Sequence, residues 1–354
     1  TYVCFTDYDE TIQNKQVAFH KVLLKNTFGE YLASALAAGH NYATVIPDSP
    51  WSDADKSQNI CHYCTISTLK SIIEHRCLRF TDVRFLNDST EFTDILRVVD
   101  SVLQEGSYPE PFVQLLLADS TKKLLKDYRQ AMSFEGKTQV YRAYTCSFST
   151  NSDSLNMWNY YATSTAGLNA QFLGVEDLFP YHFNPDHCPY KLEQGLIIYN
   201  EVDKKKRIKQ LIDTVYNLYT AQLEIEKPFT KDTIVLCTYV SAINNTRCFF
   251  KNENFSGEQE YRILLWMPEQ FLEHPLNEQD LKADIKGKGC FQRGDVLIPY
   301  IDIPININAI SKITLNPYIK TTASMMELGI RELFKQNSLG TINIVSSVIP
   351  LEKY

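Results

Sequence analysis

The chain has 354 residues, 44% of them hydrophobic and 22% charged, with a formal net charge of -7. That composition belongs to a folded globular protein, and its acidic balance excludes a nucleic-acid partner held by bulk positive charge. Aromatics reach 12%, with 21 Tyr and 19 Phe, which suits a large core and also a pocket for planar ligands.

Nine cysteines, an odd number scattered along the sequence, fit a reducing compartment better than a disulfide framework. The first residues carry Asp7, Asp9 and Glu10 and lack the basic start and apolar segment of a secretion signal. No apolar run approaches the roughly 18 residues of a membrane span. The expectation is a cytoplasmic protein.

In chain order, an apolar stripe from Ile12 to Leu36 predicts a helical extension, closed by the turn-rich Pro47–Trp51 segment. Residues 1–58 are therefore expected as an N-terminal helical extension and 59–354 as the main domain. The spacing leaves open whether the extension covers a cleft or mediates self-association.

Asn59–Tyr63 reads as a strand and Thr65–His75 as a helix capped by Thr65 or Ser67, with Leu69, Ile72 and Ile73 inward. Leu78–Phe80 reads as a strand, Asn87–Asp88 as a turn, Glu91–Leu103 as a helix and Phe112–Met132 as a further helical stretch. Val140–Ser149 alternates as a strand does, Leu155–Tyr161 spans one or two helical turns, and Ala166–Phe172 is again strand-like. Gly195–Tyr199 reads as a strand and Asp203–Ile225 as a long helix, whereas Thr230–Ser241 fits either type. Strands at Glu260–Trp266, Val296–Ile301 and Ile310–Leu315, a helix at Thr322–Asn337 and a last strand at Ile342–Val348 complete the pattern. Short strands mixed with helices, without regular βαβ alternation, predict an α+β fold.

With only 13 glycines and no Gly-rich phosphate loop or nucleophile elbow, the familiar nucleotide and hydrolase motifs are absent. Cys61-His-Tyr-Cys64, with His182, His187 and Cys188, has some metal-like spacing, but it lacks a second paired cluster, and no metal is expected. Lys204–Lys209 lies in a helical pattern and reads as a solvated face; Lys204–Arg207 with Arg247 and Lys251 could also form a local basic rim.

The richer constellation is His62-Tyr63, Asn87-Asp88 with Glu91, Ser147 and Ser149, Trp158 with Tyr160 and Tyr161, and Glu258-x-Glu260. Two carboxylates two residues apart on a strand share a face, where they could act on one ligand or form a solvated strand edge. Trp158 and Tyr160 fit a core as well as a stacking platform.

These residues resemble a known family. Tyr144–Ser149, Asn156–Ala162, Ala166–Asn169, His62–Phe80, Phe85–Glu91, Lys251 with Glu258–Arg262, and Ile344–Pro350 are similar to the signature of the bacterial family called domain of unknown function 2971. The resemblance covers roughly Ile60 to Pro350, with Ser89 where that pattern usually has proline and Phe255-Ser-Gly where an aromatic precedes the acidic block.

It brings a more distant similarity to the ADP-ribosyltransferase fold, which implies a mixed, largely antiparallel split-sheet core with surrounding helices. The implied chemistry is NAD-dependent ADP-ribosyl transfer, or NAD glycohydrolysis, toward a protein or nucleic-acid acceptor, with a role in bacterial defence or as a toxin. NAD would be the substrate, held by His62 and Tyr63 at the adenosine ribose or a phosphate, with Ser147 and Ser149 on the central strand. Trp158 or Tyr160 would stack on nicotinamide, and Arg262 or Arg79 would face the pyrophosphate. Glu260 would be the electrostatic and hydroxyl-orienting residue, and Glu258 would position the acceptor. The alternative is a non-catalytic module that senses a nucleotide or small metabolite.

Overall fold

The computed structural model describes residues 19–21, 58–87, 93–125, 130–134, 137–162, 167–180, 190–221, 230–319 and 322–350. The strands are β1 (Phe19–Lys21), β2 (Ile60–Thr65), β3 (Cys77–Asp82), β4 (Gln130–Phe134), β5 (Lys137–Ser149), β6 (Gly167–Phe172), β7 (Lys191–Leu196), β8 (Glu260–Pro268), β9 (Gly287–Arg293), β10 (Val296–Pro304), β11 (Ile310–Leu315) and β12 (Asn343–Ser346). The helices are α1 (Ile66–His75), α2 (Asp94–Glu105), α3 (Glu110–Leu117), α4 (Asp119–Leu125), α5 (Leu155–Tyr161), α6 (Val175–Leu178), α7 (Glu201–Thr220), α8 (Lys231–Arg247), α9 (Glu278–Lys282) and α10 (Ala323–Gln336). The fold is α+β with a largely antiparallel open sheet; among the named strands of the described residues, only the β11–β12 pair runs parallel.

β5 organises the sheet. One edge pairs with β8 from Tyr141 to Ser149. Its other edge meets β4 at Lys137–Tyr141, β3 at Tyr144 and Thr145, and β2 only at Ser149. Between Thr145 and Ser149 that edge has no ladder partner, because β2 and β3 diverge there around their connecting helix α1. Instead, Nδ1 of His62 lies 3.3 Å from the Ser147 carbonyl.

Alternation along the strands sorts side chains to two faces. Cys146 and Phe148 of β5 join Tyr261, Ile263 and Leu265 of β8 in the main core, under α1, α6 and α10. The intervening Ser147, Ser149, Glu260 and Arg262 project to the opposite face. A separate, helical core is built from α2, α3, α7 and α8, centred on Val98, Phe112, Ile212 and Ile243. No helix among the described residues is long and apolar enough to cross a membrane.

Several expectations need correction. The stretch from Phe112 to Met132 is not one helix: Ala118 is extended and separates α3 from α4, and Gln130 begins a strand. That strand forms a hairpin with β5, a tertiary pairing that overrides local helical preference. Within the segment read as a helical extension, Phe19–Lys21 form a strand on β4; the rest of residues 1–57 lies outside the described residues. The ambiguous Thr230–Ser241 segment is helix α8, capped by Thr230. Its buried residues surround the axis rather than forming a stripe, which is why periodicity left it undecided. β9, with two glycines among its seven residues, has no counterpart in the sequence expectation; it is drawn into the sheet by pairing with β10 through the Gly294 turn, where φ is 59°.

Candidate functional site

The site grows from the turn entering β8. Residues Glu253–Glu258 form a 3-10 segment, Gln259 adopts a left-handed conformation with φ 44°, and Glu260 starts the strand. Ser149 Oγ donates to the Glu258 carbonyl at 2.8 Å, and the Thr150 amide donates to the Gln259 carbonyl at 2.9 Å, which pins the turn to the end of β5. The Glu260 amide donates to Tyr199 Oη at 2.9 Å.

Both carboxylates then converge on one cation. Lys251 Nζ donates to Glu258 Oε2 at 2.6 Å and to Glu260 Oε2 at 3.1 Å, and all three side chains are buried. Arg262, fully buried, grips Glu260 with Nε at 2.8 Å and Nη2 at 3.1 Å, while its Nη1 donates to the Cys248 carbonyl at 2.6 Å. Ser147 Oγ adds a bond to Glu260 Oε1 at 2.6 Å. Burial would push the Glu260 carboxyl up, yet Arg262, Lys251 and the Ser147 hydrogen bond together hold it down at about 2.

Glu258 differs from Glu260 in having a way out. Tyr161 Oη donates to its Oε1 at 2.9 Å, and Asn87 donates to Tyr161 Oη at 3.3 Å. Burial of its hydroxyl and the adjacent Glu258 carboxylate push the Tyr161 phenol above its ordinary value. Glu258 and Tyr161 line a cavity of about 330 Å³ with Tyr160, Phe255 and the amides of Asn156 and Asn254. This is the low end of ligand-pocket size, room for one ring with a sugar.

Helix α5 supplies one wall. Met157 and Trp158 are buried; Tyr161, one turn after Met157, is 41% exposed but turns its hydroxyl to Glu258, while Tyr160 is 72% exposed. Gly257 permits the close approach of the opposing turn, since a Cβ there would meet the Asn156 side-chain amide.

The structure therefore unites Ser147, Glu258, Glu260 and Arg262, with Tyr160 at the pocket rim. Ser149 serves the turn's backbone. Trp158 is not a stacking platform: its ring is fully buried, its Nε1 donates to Asp153 at 2.7 Å, and Tyr63 packs edge-on at 4.7 Å. Tyr63 is likewise part of that small core, its hydroxyl bonded to Asn151 and Ser154. His62 sits on the Phe148 side of the sheet, away from the carboxylates, and burial pulls its pKa down against the Ser147 carbonyl bond. Asp88 and Glu91 lie outside the described residues.

Cys61 and Cys64, three apart on β2, project to opposite faces into different apolar clusters, so they share no ion. Their proposed companions His182, His187 and Cys188 lie outside the described residues. The basic rim also dissolves: Lys204 is buried against Asp94 at 2.7 Å, Arg247 is buried and bonds the Leu125 carbonyl, and Lys251 holds the carboxylates.

Tyr161 and Tyr199 carry weight that the sequence reading did not assign. Helical spacing from Met157 could have selected Tyr161 over Tyr160; nothing local marks Tyr199.

Residues 157–263, less than a third of the chain, match the model of a family described as "Protein of unknown function (DUF2971)". The matched span holds α5 from Met157 onward, Lys251 and the whole acidic block. A stretch of 33 residues is 73% identical to a 2,3-bisphosphoglycerate-independent phosphoglycerate mutase of Lachnoclostridium phytofermentans, covering 9% of this chain and 6% of that protein. The chain thus spans a small fraction of that relative. No solved structure matches the chain.

Proposed function

We propose that the Glu258 pocket binds the ribosyl end of NAD and that the chain breaks its N-glycosidic bond, passing the ADP-ribosyl group to water or to a protein or nucleic-acid acceptor. The observation that carries this reading is the orientation of Glu258: its two oxygens are fixed by Tyr161 and Lys251 beside a pocket of aromatic rings and amides. When the bond between ribose C1′ and nicotinamide breaks, the electron pair leaves with nicotinamide and positive charge develops on the sugar. A fixed carboxylate beside the sugar stabilises that charge without reorganising. The new bond to C1′ comes from the acceptor oxygen or nitrogen, which loses its proton. Tyr160 and Phe255 offer ring faces, and Asn156 and Asn254 offer bonds to hydroxyls or a carboxamide.

This reading exchanges the roles that the resemblance implied. Glu260, saturated by Arg262, Lys251 and Ser147, acts as a positioning residue: it holds Lys251, which holds Glu258.

One observation favours the alternative of ligand binding without turnover. Lys251 and Arg262 match the two carboxylates in charge, and a balanced cluster binds hydroxyls well while stabilising a developing cation weakly. Calorimetry with NAD and mass detection of nicotinamide separate the two. Binding with release supports catalysis; binding without release selects the sensing module; absence of binding sinks the NAD reading.

A further inference from the structure

A second cavity, of about 1030 Å³, opens where β2 and β3 diverge, and it shares no lining residue with the Glu258 pocket. We propose that this groove is a separate binding site for a nucleoside diphosphate.

Its charge is the first argument. In a chain of net charge -7, the groove is lined by Arg76, Arg79 and Lys286, with Asp302 as the carboxylate among them. Arg79 is rigid: its Nε and Nη2 each bond Asp302 at 2.9 Å, and its guanidinium carbon lies 3.6 Å from the Tyr300 ring centroid. Among the described residues its Nη1 makes no hydrogen bond, so a fixed donor remains for an anion. Arg76 gives one bond to the Asn337 carbonyl at 3.3 Å, and Lys286 holds an exposed pair with Asp284 at 3.3 Å, which an incoming phosphate would outcompete.

The other walls fit a nucleoside rather than a bare anion. Ser67, Ser71 and His75 recur every four residues on α1 and present hydroxyls and an imidazole along one side. Phe291 and Tyr300 stand 6.1 Å apart on the opposite side; the Arg79 guanidinium lies 3.6 Å from the Tyr300 ring centroid and 5.7 Å from that of Phe291, so Phe291 is the less engaged ring for a base. The cavity lies at the upper end of small-ligand size. A strand of nucleic acid is disfavoured, because the cations gather in one groove instead of tracking a path across an acidic surface.

The test is titration calorimetry of the full chain with ADP, with inorganic pyrophosphate and a short single-stranded RNA in parallel. ADP is expected to bind at one site, more tightly than pyrophosphate or RNA. Reversing the exposed charges (Arg76→Glu with Lys286→Glu) is expected to weaken ADP at least about ten-fold, while Glu258→Gln leaves it within about two-fold. Thermal melts of both variants confirm that they are folded. Absence of ADP binding, equal affinity for pyrophosphate, tighter binding of RNA, or loss of ADP binding on Glu258→Gln but not on charge reversal would each overturn the proposal. Nicotinamide release is not the readout, so failure here and failure of the Glu258 reading are told apart.

Discussion

Four buried charges, Glu258, Glu260, Lys251 and Arg262, set the residue-scale energetics. Removing one partner of such a group leaves an uncompensated charge, which typically destabilises by about 3–5 kcal/mol. Glu260→Ala strands Arg262, whose side chain is fully buried, and is expected to lower stability by that amount in urea unfolding. The pH dependence follows from the same cluster. The folded-state Glu260 carboxyl lies at about 2 against an ordinary 4.5, so its stabilisation is fully present above pH 4.5 and is lost as pH falls toward 2. The gap corresponds to about 3 kcal/mol. Unfolding free energy measured between pH 5 and pH 2 should fall more steeply in the wild type than in Glu260→Gln; parallel curves would contradict the assignment.

At the scale of elements, α5 separates two aromatic roles within one helix. Trp158→Ala opens a cavity in the small core with Tyr63 and is expected to cost about 3–5 kcal/mol of stability. Tyr160→Ala changes an exposed ring at the pocket rim, so stability should move by less than about 0.5 kcal/mol while NAD affinity falls. Paired thermal melts and titrations would reveal the reverse pattern if Trp158 were the stacking group. The helix itself was legible in the sequence, with its Ser154 cap at the expected start. So were β2, α1, β5, β8 and β11, whose alternation or amphipathic spacing is strong. The partition of their residues between two faces was harder. His62 and Glu260 follow one another in the right chain order, but the pairing register, set by β5, sends them to opposite sides of the sheet. Cys61 and Cys64 are separated by alternation within β2 itself, being three residues apart.

Across the whole molecule, the helical core, through Phe250, and a smaller apolar cluster on the Glu260 face of the sheet, with Cys248, Phe249 and Trp266, adjoin where α8 ends and Lys251 enters the site. The strand-to-helix ambiguity of α8 and the late hairpin of β9 were not legible, since both depend on contacts distant in sequence. The role of Lys251 was half legible: its place before the acidic block stood out, whereas its burial between two carboxylates depends on that block's turn. Burial also orders the thiols. Cys64 and Cys146 are each pushed up to about 12, first by burial, whereas Cys290 on β9 is exposed. Timed labelling with a thiol reagent should therefore show that Cys290→Ser removes one fast-reacting equivalent, and that a Cys146→Ser change leaves the fast phase intact.

The central claim is that Glu258, rather than Glu260, faces the ligand and acts on it. Its most direct test is the rate of nicotinamide release from NAD, followed by mass for the wild type and for Glu258→Gln, with melting curves showing both folded. The account predicts release by the wild type and a rate at least about 100-fold lower in the variant. Equal rates in the two proteins, or no release from either, would contradict it.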